Sequence, residues 1–174
     1  MDQTKLKDWM EVVGIFALVG SLFFVGLQMK QAQEIAIAEQ YQVRGIFGAE
    51  HVASFAENEH LLEIVVDELN SAYEAGELSD SVIKDYESFG MEYVAVKFVE
   101  ARKGLVTLDN YYFQYQQGFM EEEAWAAFRY RFKASFRENY MKDVYLSDPL
   151  QWRKSLQDLC NEILAEIVAE TESS

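Results

Sequence analysis

Residues 11–30, EVVGIFALVGSLFFVGLQMK, decide how this chain folds. Eighteen uncharged residues separate Glu11 from Lys30. At a helical rise of about 1.5 Å each they cover about 27 Å, close to the hydrocarbon thickness of a bilayer. Trp9 and Lys30 lie where an interfacial aromatic and a snorkelling cation are expected. These features predict a transmembrane helix over residues 9–30.

Two other interpretations of this stretch stay open. A signal peptide has a positive start, a shorter apolar run and a small-x-small cleavage site. Here acids offset the lysines before the run, and VGLQMK is a poor cleavage site. A buried core helix is the second alternative, because eighteen residues are at the short end for a span. Length and flanking residues favour the span, but its flanking cations are too few to predict an orientation.

Small residues share one face of the predicted span, namely Gly14, Ala17 and Ser21. Ala17 and Ser21 form a small-xxx-small pair, which lets a second helix approach closely. The alternative is that these residues have no special role, since small residues are common in membrane helices. We predict that this face is an interface for self-association.

The composition predicts an all-α fold, in which an N-terminal transmembrane helix continues into a membrane-anchored helical bundle. The 174 residues include one proline, and Ala, Glu, Gln and Leu are plentiful. The part beyond the anchor, about 140 residues, is enough for one domain with a core. The predicted segments are a polar N-terminus (1–8), a transmembrane helix (9–30), an acidic helical-bundle domain (31–170) and a tail (171–174).

Apolar periodicity and capping residues predict where the helices lie. No glycine or proline interrupts residues 31–44, so the membrane helix should continue into water, to the mid-fifties. Gly104 either ends the third helix or is carried through it, so the residues that follow form a separate helix or continue the third; we favour a break. We expect Asp148 and Pro149 to begin the last helix. The other predicted helices cover 57–73, 80 to about 103, and 121 onward.

Acidic residues give the chain a net charge of −15. None of residues 45–83 is a lysine or arginine, whereas nine are acidic. Nucleic acid and anionic lipid are recognised by clustered cations, so neither is an expected partner of this surface. A solvated acidic face is the simpler interpretation, and a surface for a cationic partner or divalent ion is the alternative.

Arg129, Lys133 and Arg137 form a basic row at four-residue spacing. We expect this row to pair with acids of residues 57–80, within the bundle or between subunits. Binding of a ligand carboxylate or a lipid headgroup is the alternative.

Four aromatic residues lie within residues 111–115. They cannot all face one side of a helix, so some must contact a second surface. Core packing is the favoured interpretation, because buried tyrosines usually find a partner for the hydroxyl. The alternative is a ligand pocket formed by Tyr111, Tyr112 and Tyr115 together with the basic row.

No catalytic residue and no cofactor is predicted. Glu57 and His60 form one Glu-x-x-His motif, but a di-metal site in a helical bundle needs two. The sequence has no Gly-rich phosphate loop, GxSxG elbow or HExxH motif. The lone Cys160 excludes an internal disulfide and lies on the apolar side of its helix.

Three stretches resemble a group of small bacterial proteins to which no chemistry is assigned. They are AEQYQ (38–42) after the membrane stretch, DNYYFQYQQGFMEEEAW (109–125), and a proline shortly before Trp152. The resemblance implies a single N-terminal membrane helix, a helical domain and a bacterial inner-membrane location. It carries no catalytic residue over to this chain.

Our first hypothesis is a non-enzymatic, single-pass membrane protein whose helical domain self-associates or docks on a membrane complex. Its expected partners are the lipid bilayer and either further copies of the chain or the subunits of that complex. A membrane-anchored sensor or ligand-binding module is the second hypothesis. A metal-dependent enzyme centred on Glu57 and His60 is the third.

Overall fold

A computed structural model describes residues 3–138 and 140–172. Within these ranges the regular structure is seven α-helices and one 3₁₀ turn, with no strand, so the all-α prediction is confirmed. The elements are α1 (Gln3–Glu57), α2 (Glu59–Glu74), α3 (Asp80–Phe89), α4 (Met91–Gln116), α5 (Glu122–Glu138), α6 (Met141–Ser147), the 3₁₀ turn (Pro149–Gln151) and α7 (Lys154–Glu172). Residues 1–2 of the predicted N-terminus and 173–174 of the predicted tail lie outside the described residues.

Two compact units make up the chain, and they divide after Gln40. In the first unit, α1 exposes its large apolar side chains; Phe16 is 74% and Phe23 70% exposed. This helix is the one element of the described residues that is long and apolar enough to cross a membrane. A signal sequence near an N-terminus and the core helix of a soluble protein can meet the same criterion of length and apolar composition. As predicted, α1 runs without a break to the mid-fifties, ending at Glu57.

The second unit is built around α4, which packs against α2, α3, α5 and α6. One row of α4 side chains, Val94, Leu105 and Leu108, is fully buried. A second row is offset from it by one residue and includes Ala95 and Val99, which are also buried. Because α4 is covered on more than one side, the other helices can share a single core around it.

The predicted break at Gly104 is wrong, and the chain breaks at Gly90 instead. Gly90 has φ +88° and ψ 165°, a conformation that L side chains rarely adopt, and it separates α3 from α4. Gly104 is helical, and a Cβ built on it would overlap the Met141 Cε atom of α6. Gly104 therefore allows close packing of α6 rather than a change of chain direction.

The predicted start of the last helix is also wrong. Pro149 begins a single 3₁₀ turn, and the Asp148 side chain makes no capping hydrogen bond. Trp152 is extended, and its carbonyl accepts a hydrogen bond of 2.8 Å from the Gln157 side chain. The α-helix α7 begins only at Lys154, two residues after Trp152.

Replacing Gly90 with Ala should lower the free energy of unfolding by about 1–3 kcal/mol, because the residue would keep a backbone conformation reserved for glycine. Urea unfolding of the full chain, followed by circular dichroism, measures the change. Glu87→Ala is the control, because Glu87 is an exposed residue of α3. This substitution should alter the free energy of unfolding by less than about 0.5 kcal/mol. Equal stability of the two variants would contradict the assignment of the break to Gly90.

Candidate functional site

The four aromatic residues of 111–115 lie near the end of α4, and three of them pack against α5. Tyr112 and Tyr115 stack on Trp125 with ring centroids 5.2 and 5.0 Å apart, and Tyr111 lies 4.3 Å from Phe128. The Tyr115 hydroxyl donates a 2.6 Å hydrogen bond to a carboxylate oxygen of Glu122. The side chains thus pack as the favoured interpretation expected, and a ligand-binding role for these tyrosines stays a prediction.

The basic row does pair with acids, but not with those of residues 57–80. Its partners belong to α7, because α7 rather than α2 packs against α5. The ion pairs are Arg129 with Glu162 (2.8 Å) and Glu166 (2.5 Å), Lys133 with Glu166 and Glu170 (both 2.7 Å), and Arg137 with Glu170. The basic row therefore links α5 to α7, and its cations are paired with carboxylates of the same chain.

Glu166 lies at the centre of this network. Hydrogen bonds from Arg129 and then Lys133 favour its ionised form and lower its pKa to about 2. The hydrogen bond to Glu166 in turn raises the pKa of Arg129. Both shifts identify the network as an electrostatic tie between α5 and α7 in the folded protein.

Glu57 and His60 do not share a helix. Glu57 ends α1, and Asn58 caps α2 by accepting a 3.0 Å hydrogen bond from the backbone N–H of His60. The His60 ring lies 3.5 Å from Glu63 and is exposed. Nowhere in residues 3–138 and 140–172 do three or more His, Cys, Asp or Glu side chains come together as metal ligands.

Gly14, Ala17 and Ser21 are exposed along the first unit. A Cβ built on Gly14 meets no atom within 4 Å. Within a single chain, this small-residue face is therefore open.

A polar cluster that the sequence did not reveal joins Tyr41 to Asp109 and Arg153. The Tyr41 hydroxyl and Arg153 Nε donate to opposite oxygens of the Asp109 carboxylate, at 2.6 and 2.8 Å. The Tyr41 ring stacks on Phe113 at 3.7 Å, and the guanidinium lies over both rings. Burial, followed by the bond to Asp109, raises the pKa of Tyr41. The Tyr41 hydroxyl, the Asp109 carboxylate and the Arg153 guanidinium are bonded to one another, which indicates a structural role.

The best candidate for a binding site is a cleft between the end of α1, α2, α4 and α6, with a volume of about 790 Å³. Its floor is apolar and includes Leu69 and Val99, which are 6% and 4% exposed. Phe55 and Phe98 contribute aromatic surface to its walls. We call it the α2–α4 cleft.

Charged side chains line the α2–α4 cleft, namely Glu68, Glu77, Arg102 and Asp143. Unlike the basic row, none of them forms an ion pair or side-chain hydrogen bond with another residue that the structure describes. The cleft is not evident in the sequence because its lining comes from four separate segments. The one signal was the excess of acids over residues 45–83, to which Glu68 and Glu77 belong.

Replacing Glu166 with Gln should reduce stability in a pH-dependent way. A carboxylate whose folded pKa lies near 2, against an ordinary 4.5, stabilises the fold fully above about pH 4.5. That stabilisation is lost as the pH falls from 4.5 towards 2. In urea unfolding, Glu166→Gln should therefore be less stable than the unmodified chain at pH 7, and the difference should shrink through this window.

Glu87→Gln is the matched control, because Glu87 is exposed and has no ion-pair partner among the described residues. Its stability should follow that of the unmodified chain at each pH. A difference for Glu166→Gln that stays constant from pH 7 to pH 2 would contradict the assigned role of this carboxylate.

No family model, curated protein or solved structure matches the chain.

Proposed function

We propose that the chain is a single-pass membrane protein without a catalytic role, whose helical domain self-associates or docks on a membrane complex. Residues 9–30 would form the span. One observation carries the proposal: the most apolar eighteen-residue window of α1 has a mean hydropathy of 2.2, and none of it is buried.

Exposure of this window supports a span rather than the core helix of a soluble protein. A core helix of this length is normally covered by its own domain, because each Å² of apolar surface left in water costs about 25 cal/mol. Here the large side chains from Trp9 to Met29 are exposed. A bilayer covers such a helix on all sides, which favours the span.

The state of Cys160 supports a role without covalent catalysis. Its side chain is fully buried, and that burial raises the pKa of the thiol to about 12. The thiolate, which is the nucleophilic form, is then scarce near neutral pH. Cys160 packs as a small apolar residue in the core.

For location we propose a bacterial inner membrane, which rests on the resemblance described above. Self-association would use the open face of Gly14, Ala17 and Ser21, because small residues allow two helix backbones to approach in lipid. Docking on another protein would use the domain surface.

The anchoring proposal predicts that the protein stays with membranes after alkaline carbonate washing and is released by mild detergent. Val19→Arg with Phe23→Arg should move it to the soluble fraction, because charges at the centre of a span oppose insertion. Intact mass spectrometry separates the alternatives. The full 20.1 kDa chain in the membrane supports the anchor, and a shorter chain in the soluble fraction would indicate a cleaved signal peptide.

The assembly proposal predicts that Ala17→Leu with Ser21→Leu shifts the protein towards monomer. Native mass spectrometry of the chain extracted in mild detergent measures this directly. Val19→Leu adds bulk on the opposite side of the helix and should leave the oligomer unchanged. If the unmodified chain is a monomer without other subunits, neither self-association nor stable docking is correct.

A further inference from the structure

We propose that the α2–α4 cleft binds a small amphipathic organic cation, meaning an ammonium group carried on an apolar or aromatic body. This site belongs to the helical domain alone, so it goes beyond the anchoring and assembly proposed above and does not depend on them.

The shape of the cleft fits a small molecule. Its volume of about 790 Å³ lies within the range of about 300–1,000 Å³ that is usual for ligand sites. Leu69 and Val99 close its floor, and Val65 and Leu78 add to its apolar lining. A ligand body that covers this surface gains the free energy of removing it from water.

The charge of the cleft selects a cation. Glu68, Glu77 and Asp143 provide three carboxylates against the single guanidinium of Arg102. Elsewhere in the domain, carboxylates at α5–α7 are bound by arginine and lysine, whereas these three have no ion-pair partner among the described residues. An ammonium group therefore meets an excess of available negative charge, and an anion meets repulsion.

The aromatic walls favour the same ligand class. The Phe55 and Phe98 side chains line the cleft, and His51 contacts Phe55 edge-on with ring centroids 5.5 Å apart. The face of an aromatic ring carries partial negative charge and attracts cations, most strongly where water is excluded. Phe55 and Phe98 thus add aromatic surface for the apolar body of the ligand, beside the carboxylates that attract its ammonium group.

The test uses the full chain in nanodiscs of uncharged phosphatidylcholine and three water-soluble probes of one size. These are 4-phenylbutylamine, 4-phenylbutanol and 4-phenylbutyrate, which present a cation, a neutral group and an anion on one apolar body. Equilibrium dialysis against empty nanodiscs corrects for partitioning into lipid. We expect saturable binding of the amine, about tenfold tighter than the alcohol and with the butyrate weakest.

Variants that remove either a negative or a positive charge from the cleft lining locate the site. Glu68→Gln and Asp143→Asn should each weaken amine binding by about threefold, and Arg102→Gln should strengthen it by a similar factor. Glu100→Gln, an exposed change on α4 outside the cleft lining, is the matched control and should change nothing. Circular dichroism of each variant must show the helix content and unfolding midpoint of the unmodified chain.

Three results would overturn the proposal. They are the absence of saturable amine binding, preferential binding of the butyrate, and amine binding that is indifferent to the cleft variants. Displacement of the amine by a basic amphipathic peptide that binds at least a hundredfold more tightly would make the cleft a protein-docking groove instead. Failure of assembly leaves these readouts unaffected. A chain that does not enter nanodiscs would contradict the anchoring proposal, and the same dialysis is then run on the chain in a mild uncharged detergent, so the two proposals fail separately.

Discussion

Burial of α4 on more than one side is the constraint on which the packing of residues 41–172 depends. A helix covered by α2, α3, α5 and α6 needs apolar or small residues around most of its circumference. That requirement explains Gly104, which lets Met141 of α6 lie directly against the α4 backbone. It also explains the tyrosines near the end of α4, which present ring faces to α5 and direct one hydroxyl to Glu122.

Local signals in the sequence predicted α1, α2 and the start of α5, whereas the break at Gly90, the short helix α6 and the tertiary relations were not accessible. The uninterrupted course of α1 and the acidic start of α5 depend on neighbouring residues, and both were predicted. Gly90 and Gly104 cannot be told apart from the sequence. The structure shows that Gly90 has a positive φ and that Gly104 allows a contact with another helix. The partners of Arg129 depend on which helix lies beside α5, and periodicity holds no information on that.

Two sets of acidic residues differ once the fold is known. Glu162, Glu166 and Glu170 of α7 are bound by the basic row, so they stabilise the domain. The carboxylates around the α2–α4 cleft have no such partners and lie beside apolar and aromatic walls. The net charge of −15 does not distinguish carboxylates that are bound within the domain from carboxylates that are available to a ligand. The difference gives the cleft a chemistry distinct from that of the α5–α7 surface.

The central claim is that the exposed apolar part of α1 lies in a membrane, and cysteine accessibility tests it most directly. Native Cys160 is buried and its thiol is weakly acidic, so single cysteines can be introduced over a low background. In sealed vesicles, Phe23→Cys should resist a membrane-impermeant maleimide from either side, and Glu59→Cys should react from one side only. Labelling of Phe23→Cys in intact vesicles as fast as Glu59→Cys would contradict the account.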